Sequence, residues 1–79
     1  MNAAEVQSLI ETGLPGAQVR VSSPDDTHFE AVIVAAQFEG KRTLQRHQLV
    51  YGTLGARMGR EIHALTMQVL TPQEASSGG

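Results

Sequence analysis

The segment HFEAVIVAA, residues 28–36, has apolar side chains on both faces of an extended strand. Every second residue makes one apolar face, which consists of Phe29, Ala31, Ile33 and Ala35. The opposite face contains Val32 and Val34. A strand that is apolar on both faces is typical of the interior of a sheet. We therefore expect this segment to be the central strand, paired on both sides.

The segment before this strand is predicted to form the strand next to it in the sheet. Residues 18–21 alternate between polar and apolar side chains, which indicates a short strand. The connection contains Pro24, Asp25 and Asp26, all of which favour turns. Because the loop is short, we expect the two strands to run antiparallel. Farther upstream, residues 4–11 have helical periodicity, with Asn2 as a cap that Glu5 completes as a capping box.

The segment after the central strand predicts a helix and a third strand. Thr43 is expected to cap a helix that runs to about Met58, followed by Gly59 as its C-cap. Its apolar stripe is predicted to comprise Leu44, Tyr51, Leu54 and Met58, and Val50 widens this stripe. Two glycines inside this helix, Gly52 and Gly55, predict a close approach to the sheet. A strand follows at residues 62–70, and Pro72 starts a last helical turn.

This order predicts one α+β domain over residues 1–74, followed by a flexible tail at residues 75–79. The elements follow the order α-β-β-α-β, with a residual final helical turn. A helix joins the second and third strands, which should therefore be parallel. The expected architecture is a three-stranded mixed sheet with both helices on one face.

Composition excludes several classes of protein. The chain has 79 residues and no cysteine, which excludes disulfides, a cysteine nucleophile and a self-contained zinc ribbon. No serine lies in a nucleophile-elbow sequence, so no catalytic residue is predicted. Apolar runs are far shorter than the ~20 residues of a membrane span, and no signal peptide is recognised. We expect a cytoplasmic protein that is not an enzyme.

Positive charge is concentrated in one segment of an otherwise acidic chain. The net charge is −2, yet 5 of the 6 basic residues lie within residues 41–60, where no acidic residue occurs. Four of them are candidate docking residues for an anionic partner: Lys41, Arg46, Arg57 and Arg60. A solvated helix face without a partner is the alternative interpretation.

Three histidines are candidates for metal or structural roles. His63 should open the third strand, and His28 lies where the polar turn meets the central strand. Each suits either a ligand or an ordinary structural residue. His47 falls beside the helix stripe, so we expect it to pack against the sheet with a hydrogen bond. A GxxG pattern at residues 52–55 matches nucleic-acid clamps weakly, because it falls inside the predicted helix.

An ordered set of short motifs resembles the BolA family. The motifs are His28-Phe29, Phe38-Glu39-Gly40, Arg46-His47-Gln48-Leu49-Val50-Tyr51, Ile62-His63-Ala64-Leu65 and Thr71-Pro72. They cover about residues 18–74, and the compact loop is most similar to the short bacterial IbaG-type subgroup. The resemblance implies a KH-like (class II) α-β-β-α-β-α fold, which agrees with the order of elements above.

The same resemblance implies a partner-dependent role. BolA-like proteins pair with monothiol glutaredoxins, and a [2Fe–2S] cluster bridges the two, held on one side by thiolates of glutaredoxin and glutathione. On the other side the matching ligand is His63. His28 is a candidate second ligand, and Asp25, nearer the family's loop position, is a poorer donor for such a cluster. We expect no tightly bound cluster on the chain alone, because it has no thiolate.

Two other functions stay open. The KH-like fold and the local basic run are compatible with a transcriptional regulator that binds DNA. A protein-interaction module without metal is the third interpretation. No membrane partner is expected, and the free protein is either a monomer or a weak homodimer.

Overall fold

The computed structural model describes residues 1–77 and contains the expected mixture of helices and strands. In chain order the elements are helix α1 (Ala3–Gly13), strands β1 (Gln18–Ser22) and β2 (His28–Val34), helix α2 (Thr43–Leu54), strand β3 (Ala64–Leu70) and helix α3 (Pro72–Ser77). Single 3-10 turns follow β2 at Ala36–Phe38 and α2 at Gly55–Arg57. Of the helices in the described residues, none has the length and apolar character that crossing a bilayer requires.

The three strands form one sheet in the order β1-β2-β3, which confirms β2 as the central strand. Strand β1 pairs antiparallel with β2, and β3 pairs parallel with β2. In the register, Ile33 lies between Val19 and Val69. The α+β architecture with a mixed sheet is as predicted from the sequence.

The core lies between one face of the sheet and the helices α1 and α2. Alternate residues of β2, beginning with Phe29, are buried on this face. Helix α1 covers them with Val6 and Ile10, and α2 covers them with Val50 and Leu54. The opposite face of β2 is more open, because Val32 is exposed there. Covering one sheet face is sufficient to bury the large apolar side chains of this short chain.

Helix α1 is held by the predicted capping box. The Asn2 side chain accepts from the Glu5 amide at 2.9 Å, and the Glu5 carboxylate accepts from the Asn2 amide at 3.0 Å. At its other end Gly13 lies against α2, because a Cβ there would fall 2.7 Å from Thr53 Cβ. The close approach was predicted at Gly52 and Gly55, and that prediction is wrong.

Helix α2 is shorter than predicted at its C-terminal end. Arg42, rather than Thr43, is the N-cap, and the Gln45 side chain accepts from the Arg42 amide at 3.0 Å. The helix ends at Leu54 because Gly55 takes φ 58°, a left-handed conformation that stops the helix. Gly59 therefore lies in the following turn and is not the C-cap.

The predicted apolar stripe of α2 is also partly wrong. Leu44 is 68% exposed and Tyr51 is 39% exposed, whereas Val50 and Leu54 are buried. At about 100° per residue, Tyr51 lies about 100° and Leu44 about 120° around the helix from Val50. The inward face instead includes a charged residue, Arg46, which periodicity of apolar residues does not reveal.

Arg46 has a structural role, and this corrects its assignment as a free docking residue. Its side chain is 12% exposed and forms a bidentate ion pair with Glu74 at 2.6 and 3.2 Å. It also donates to the carbonyls of Lys41 at 2.8 Å and Val69 at 3.2 Å, and it lies over the ring of Phe38. The guanidinium therefore joins α2 to β3 and α3.

The C-terminal segment is more ordered than the predicted tail. Helix α3 extends to Ser77, so residues 75–77 are helical. Its start is fixed by the Thr71 hydroxyl, which accepts from the Glu74 amide at 3.1 Å, while the Glu74 carboxylate accepts from the Thr71 amide at 2.9 Å. The last two positions of the predicted tail, Gly78 and Gly79, lie outside the described residues.

Replacing Leu54 by alanine should destabilise the domain by about 2–4 kcal/mol, because its buried side chain would leave a cavity. Chemical denaturation of the purified variant measures this. The matched control is Leu44→Ala on the exposed face of the same helix, which should change the free energy of unfolding by less than about 0.5 kcal/mol. Equal effects of the two substitutions would contradict the observed orientation of α2.

The Arg46–Glu74 pair should make stability depend on pH. The Arg46 guanidinium, together with the Thr71 amide, lowers the pKa of Glu74 from 4.5 to about 2. Glu74 therefore stabilises the fold above pH 4.5, and this contribution is lost as the pH falls towards 2. Glu74→Gln should lower Tm at neutral pH, and the difference from the parent protein should vanish at about pH 2. Glu39→Gln, on an exposed carboxylate, is the control and should show no such difference.

Candidate functional site

The loop between β1 and β2, residues 23–28, is closed by its own polar side chains. Ser23 Oγ accepts from the Asp26 amide at 2.9 Å and donates to the His28 carbonyl at 2.5 Å. Asp25 Oδ1 accepts from the amides of Thr27 at 3.0 Å and His28 at 2.8 Å. Asp26 has φ 61°, a left-handed conformation that aspartate tolerates better than most residues. The loop thus presents its side chains from a defined backbone.

His28 projects from the end of this loop and is held by Asp25. Its Nδ1 lies 2.8 Å from Asp25 Oδ2, while 56% of the side chain is exposed. The backbone and side-chain N–H groups of His28 hold the pKa of Asp25 well below its usual range. Asp25 is therefore a carboxylate that only accepts hydrogen bonds, and the ring is oriented by an ionised partner.

His63 lies close to His28, in the segment before β3, the strand that pairs parallel with β2. It directly precedes β3 rather than opening it, and its side chain is exposed. The residue before it, Ile62, is buried in the core. The amides of His63 and Ala64 both donate to the Thr27 carbonyl, at 2.9 and 3.3 Å. The backbone of the His63 segment is therefore tied directly to the loop that carries His28.

The structure brings the two candidate ligands together. The ring centroids of His28 and His63 are 5.3 Å apart, with the ring planes inclined by 75°. Two imidazoles bound to one tetrahedral metal ion at ~2.1 Å have their ring centres about 5 Å apart. The pair thus has the donor type found where two histidines replace two thiolates on one iron of a [2Fe–2S] cluster, and a ring separation close to this value.

The rest of a metal site is missing from residues 1–77. No group of three or more histidine, cysteine, aspartate or glutamate side chains converges there in a metal-binding arrangement. The groove beside His28 has a volume of about 500 Å³ and is open to solvent; its lining includes Pro24, Phe29, Glu30 and Ala64. The two histidines therefore lie on an accessible surface that a second molecule could approach.

The basic candidates are divided between the two ends of α2. Arg57 and Arg60 are exposed in the connection that leads to His63, and the Arg57 carbonyl accepts from the amides of Arg60 and Ile62. Lys41 is exposed before the start of α2, a helix about 18 Å long at ~1.5 Å per residue. Because Arg46 is paired with Glu74, Arg57 and Arg60 are the remaining basic candidates that lie close to His63 in sequence.

His47 is separate from the histidine pair and differs from its prediction. It is half-buried at the margin of the inward face of α2, with its ring edge-to-face to Tyr51 at 6.4 Å. No hydrogen bond joins its ring to another residue of the described part of the chain, contrary to the expected bond. The GxxG pattern at residues 52–55 is also not an open loop, because Leu54 is buried and Gly55 caps the helix.

Sequence reasoning missed the contact between Asp25 and His28. Asp25 was considered for its turn-forming role and as a weak ligand, but not as a hydrogen-bond partner of His28. The signal that could have found it is the spacing of three residues inside a polar turn, which allows an aspartate to accept from both the backbone and the ring of the following histidine.

Comparisons with known proteins show which family this chain resembles. The family model described as BolA-like protein matches residues 11–74. A structure of a BolA protein homologue from Coxiella burnetii is 42% identical, with a TM-score of 0.81 over 96% of this chain and 97% of that chain.

Two curated relatives extend the comparison. An uncharacterized protein from the rpoN-murA intergenic region of Acinetobacter guillouiae is 36% identical over 94% of this chain and 89% of its own length. The DNA-binding transcriptional regulator BolA of Haemophilus influenzae is 43% identical over 62% of this chain, a match that spans about half (48%) of that relative. Since the family model matches most of this chain and the fold agrees along its length, the chain belongs to the BolA family.

Proposed function

We propose that this protein acts as the partner of a monothiol glutaredoxin and shares with it a bridging [2Fe–2S] cluster, in cluster trafficking or in iron and redox regulation. His63 and His28 are the ligands from this chain. The glutaredoxin and a glutathione molecule supply the thiolates. The observation that supports this most strongly is the 5.3 Å separation of two exposed imidazoles at one end of the sheet.

The composition of the pair explains why a partner is needed. This chain contributes two nitrogen donors and has no cysteine, whereas clusters of this type are held mainly by thiolates. Two imidazoles leave the second iron without a ligand from this chain. A cluster is therefore completed only when another molecule supplies sulfur donors opposite the histidines.

The chain's own residues would receive the cluster with little rearrangement. The Thr27 carbonyl, which binds the amides of His63 and Ala64, keeps the two histidine-bearing segments in register. The exposed side chains of His28 and His63 leave the approach open. Arg57 and Arg60, in the connection before His63, would attract an acidic partner surface.

A second candidate function is DNA binding, which the name of the Haemophilus influenzae relative, a DNA-binding transcriptional regulator, favours. The distribution of charge gives it less support. Arg46 is paired with Glu74, the other four basic residues of residues 41–60 are divided between the two ends of α2, and the net charge is −2. Among residues 1–77, the GxxG segment offers no open backbone loop to a phosphate.

Replacing His63 by alanine should alter the shared cluster without unfolding the domain, because the side chain is exposed. The test mixes the protein with a monothiol glutaredoxin, glutathione, iron and sulfide and records visible absorption and circular dichroism. We expect a changed spectrum and a cluster lifetime about 10-fold shorter, since a ligand is lost. Tm should stay within a few degrees of the parent protein.

His47→Ala is the matched control for this experiment. It removes an imidazole from α2, whose ring contacts Tyr51 and not the histidine pair. The variant should form the parent cluster with the parent spectrum. If His63→Ala left the cluster unchanged while a folded His47→Ala protein lost it, the ligand assignment would be wrong.

Reversing the charge of Arg57 and Arg60 together should slow association with the glutaredoxin. Long-range attraction acts on the encounter, so the association rate at low salt should fall about 10-fold, with a smaller change in dissociation. The difference should shrink above about 0.15 M salt, where the Debye length is about 8 Å. Stopped-flow mixing measures both rates, and unchanged rates at low salt would assign these residues to a solvated surface.

Lys41→Glu combined with Arg42→Glu makes the same change of net charge as the double reversal, at exposed positions before the other end of α2, and is the control in this experiment. Titration of the same proteins with duplex DNA separates the two candidate functions. Binding of DNA that weakens steeply with salt and is lost in the Arg57 and Arg60 variant would favour the regulator over the cluster partner.

A further inference from the structure

The carboxylate of Asp25 uses its two oxygens for different purposes. Oδ1 accepts from the amides of Thr27 and His28, which closes the turn. Oδ2 lies 2.8 Å from Nδ1 of the His28 ring. The turn is therefore complete without Oδ2, and the contact with the imidazole is an additional interaction.

We propose that Asp25 is a positioning residue for the cluster: it holds His28 in the form protonated on Nδ1, so that the lone pair of Nε2 is free as a donor beside His63. This inference rests on the proposed function and deepens it. It assigns to this chain a residue that acts through a ligand and does not touch the iron.

The chemistry of the contact determines the tautomer. An ionised carboxylate accepts hydrogen bonds and cannot donate them, so the Nδ1 atom of His28 carries the proton. In a neutral imidazole the other nitrogen, Nε2, then carries the lone pair that binds metal. The Thr27 hydroxyl, 3.2 Å from the same Nδ1, can also accept a hydrogen bond from it, which is compatible with the same tautomer.

The contact also limits the motion of an exposed ring. With 56% of its side chain exposed, His28 would otherwise sample several rotamers and lose that freedom on binding a cluster. Asp25 is itself fixed by two backbone amides, so the ring is oriented before the partner arrives. A carboxylate behind a metal-binding histidine is a recurrent arrangement that orients the ring and raises its basicity.

Asp25→Asn is the substitution that separates positioning from turn formation. An asparagine retains an oxygen for the amides of Thr27 and His28, and it replaces Oδ2 by an amide NH₂ group that donates hydrogen bonds. That group would favour a His28 ring with an unprotonated Nδ1, and so the opposite tautomer. Asp26→Asn is the matched control: it makes the same charge change at a left-handed position that asparagine tolerates, and no residue of the described chain hydrogen-bonds the Asp26 carboxylate.

The first measurement uses the protein alone and needs no cluster. Long-range ¹H–¹⁵N NMR at about pH 8.5, above the usual imidazole pKa, identifies the protonated nitrogen of each ring. We expect the Nδ1–H form of His28 in the parent protein and in Asp26→Asn, and the Nε2–H form in Asp25→Asn. The same tautomer in the parent and in Asp25→Asn would overturn the proposal.

The second measurement reconstitutes the shared cluster with glutaredoxin and glutathione. Asp25→Asn should shorten the cluster lifetime about 10-fold and shift the circular dichroism towards that of His28→Ala, while Asp26→Asn should match the parent. If His28→Ala changes the cluster and Asp25→Asn does not, the positioning role is wrong and the proposed ligand stands. If His28→Ala itself has no effect, His28 is not a ligand, and the positioning role fails with it.

Discussion

The parallel pairing of β2 with β3 brings together residues that a whole helix separates in sequence. Parallel strands begin at the same end of a sheet, so the residues that precede or open them become neighbours. The register pairs His28 with Ala64 and thereby sets His63 beside the loop that ends at His28. Residues distant in sequence therefore form one pair of imidazoles, although neither strand contains a metal-binding motif of its own.

The buried face of the sheet makes this register costly to change. A shift by one residue would turn the buried side chains of β2, such as Phe29 and Ile33, towards solvent. Helices α1 and α2 pack on that face, and Gly13 lets them approach each other against Thr53. The core thus fixes the relative position of two histidines that are themselves exposed. Stability resides in the core, and the chemistry lies at the end of the strands.

Some charged side chains of this chain are paired within the fold, and others remain exposed to solvent. Arg46, the central member of the basic run, is nearly buried and joins α2 to the C-terminal segment through Glu74. Asp25 is likewise occupied, by two amides and one imidazole. Two arginines remain exposed in the connection that leads to His63, Arg57 and Arg60. The sum of charges therefore says little about the docking surface, and the pairing of individual groups says more.

Sequence patterns alone predicted the order of elements, the central position of β2 and the capping box of α1. These depend on local periodicity, turn chemistry and a capping pair three residues apart, all of which are short-range. The family resemblance added His63 as a ligand candidate. The orientation and end of α2 were not predictable, because an inward arginine and an outward leucine reverse the expected pattern at Arg46 and Leu44.

Tertiary packing was needed to show that His28 lies beside His63, and the turn geometry was needed to show which oxygen of Asp25 faces the His28 ring. The distance between the two rings depends on the register of strands that are separated in sequence by a whole helix. The role of Asp25 depends on which of its oxygens faces the ring, which follows from the backbone conformation of the turn. The ring separation is not encoded in a local pattern of residues, because it arises when the buried face of the sheet packs and sets the strands in register. The Asp25–His28 contact is local to the turn, and its signal is the spacing of three residues between the two side chains.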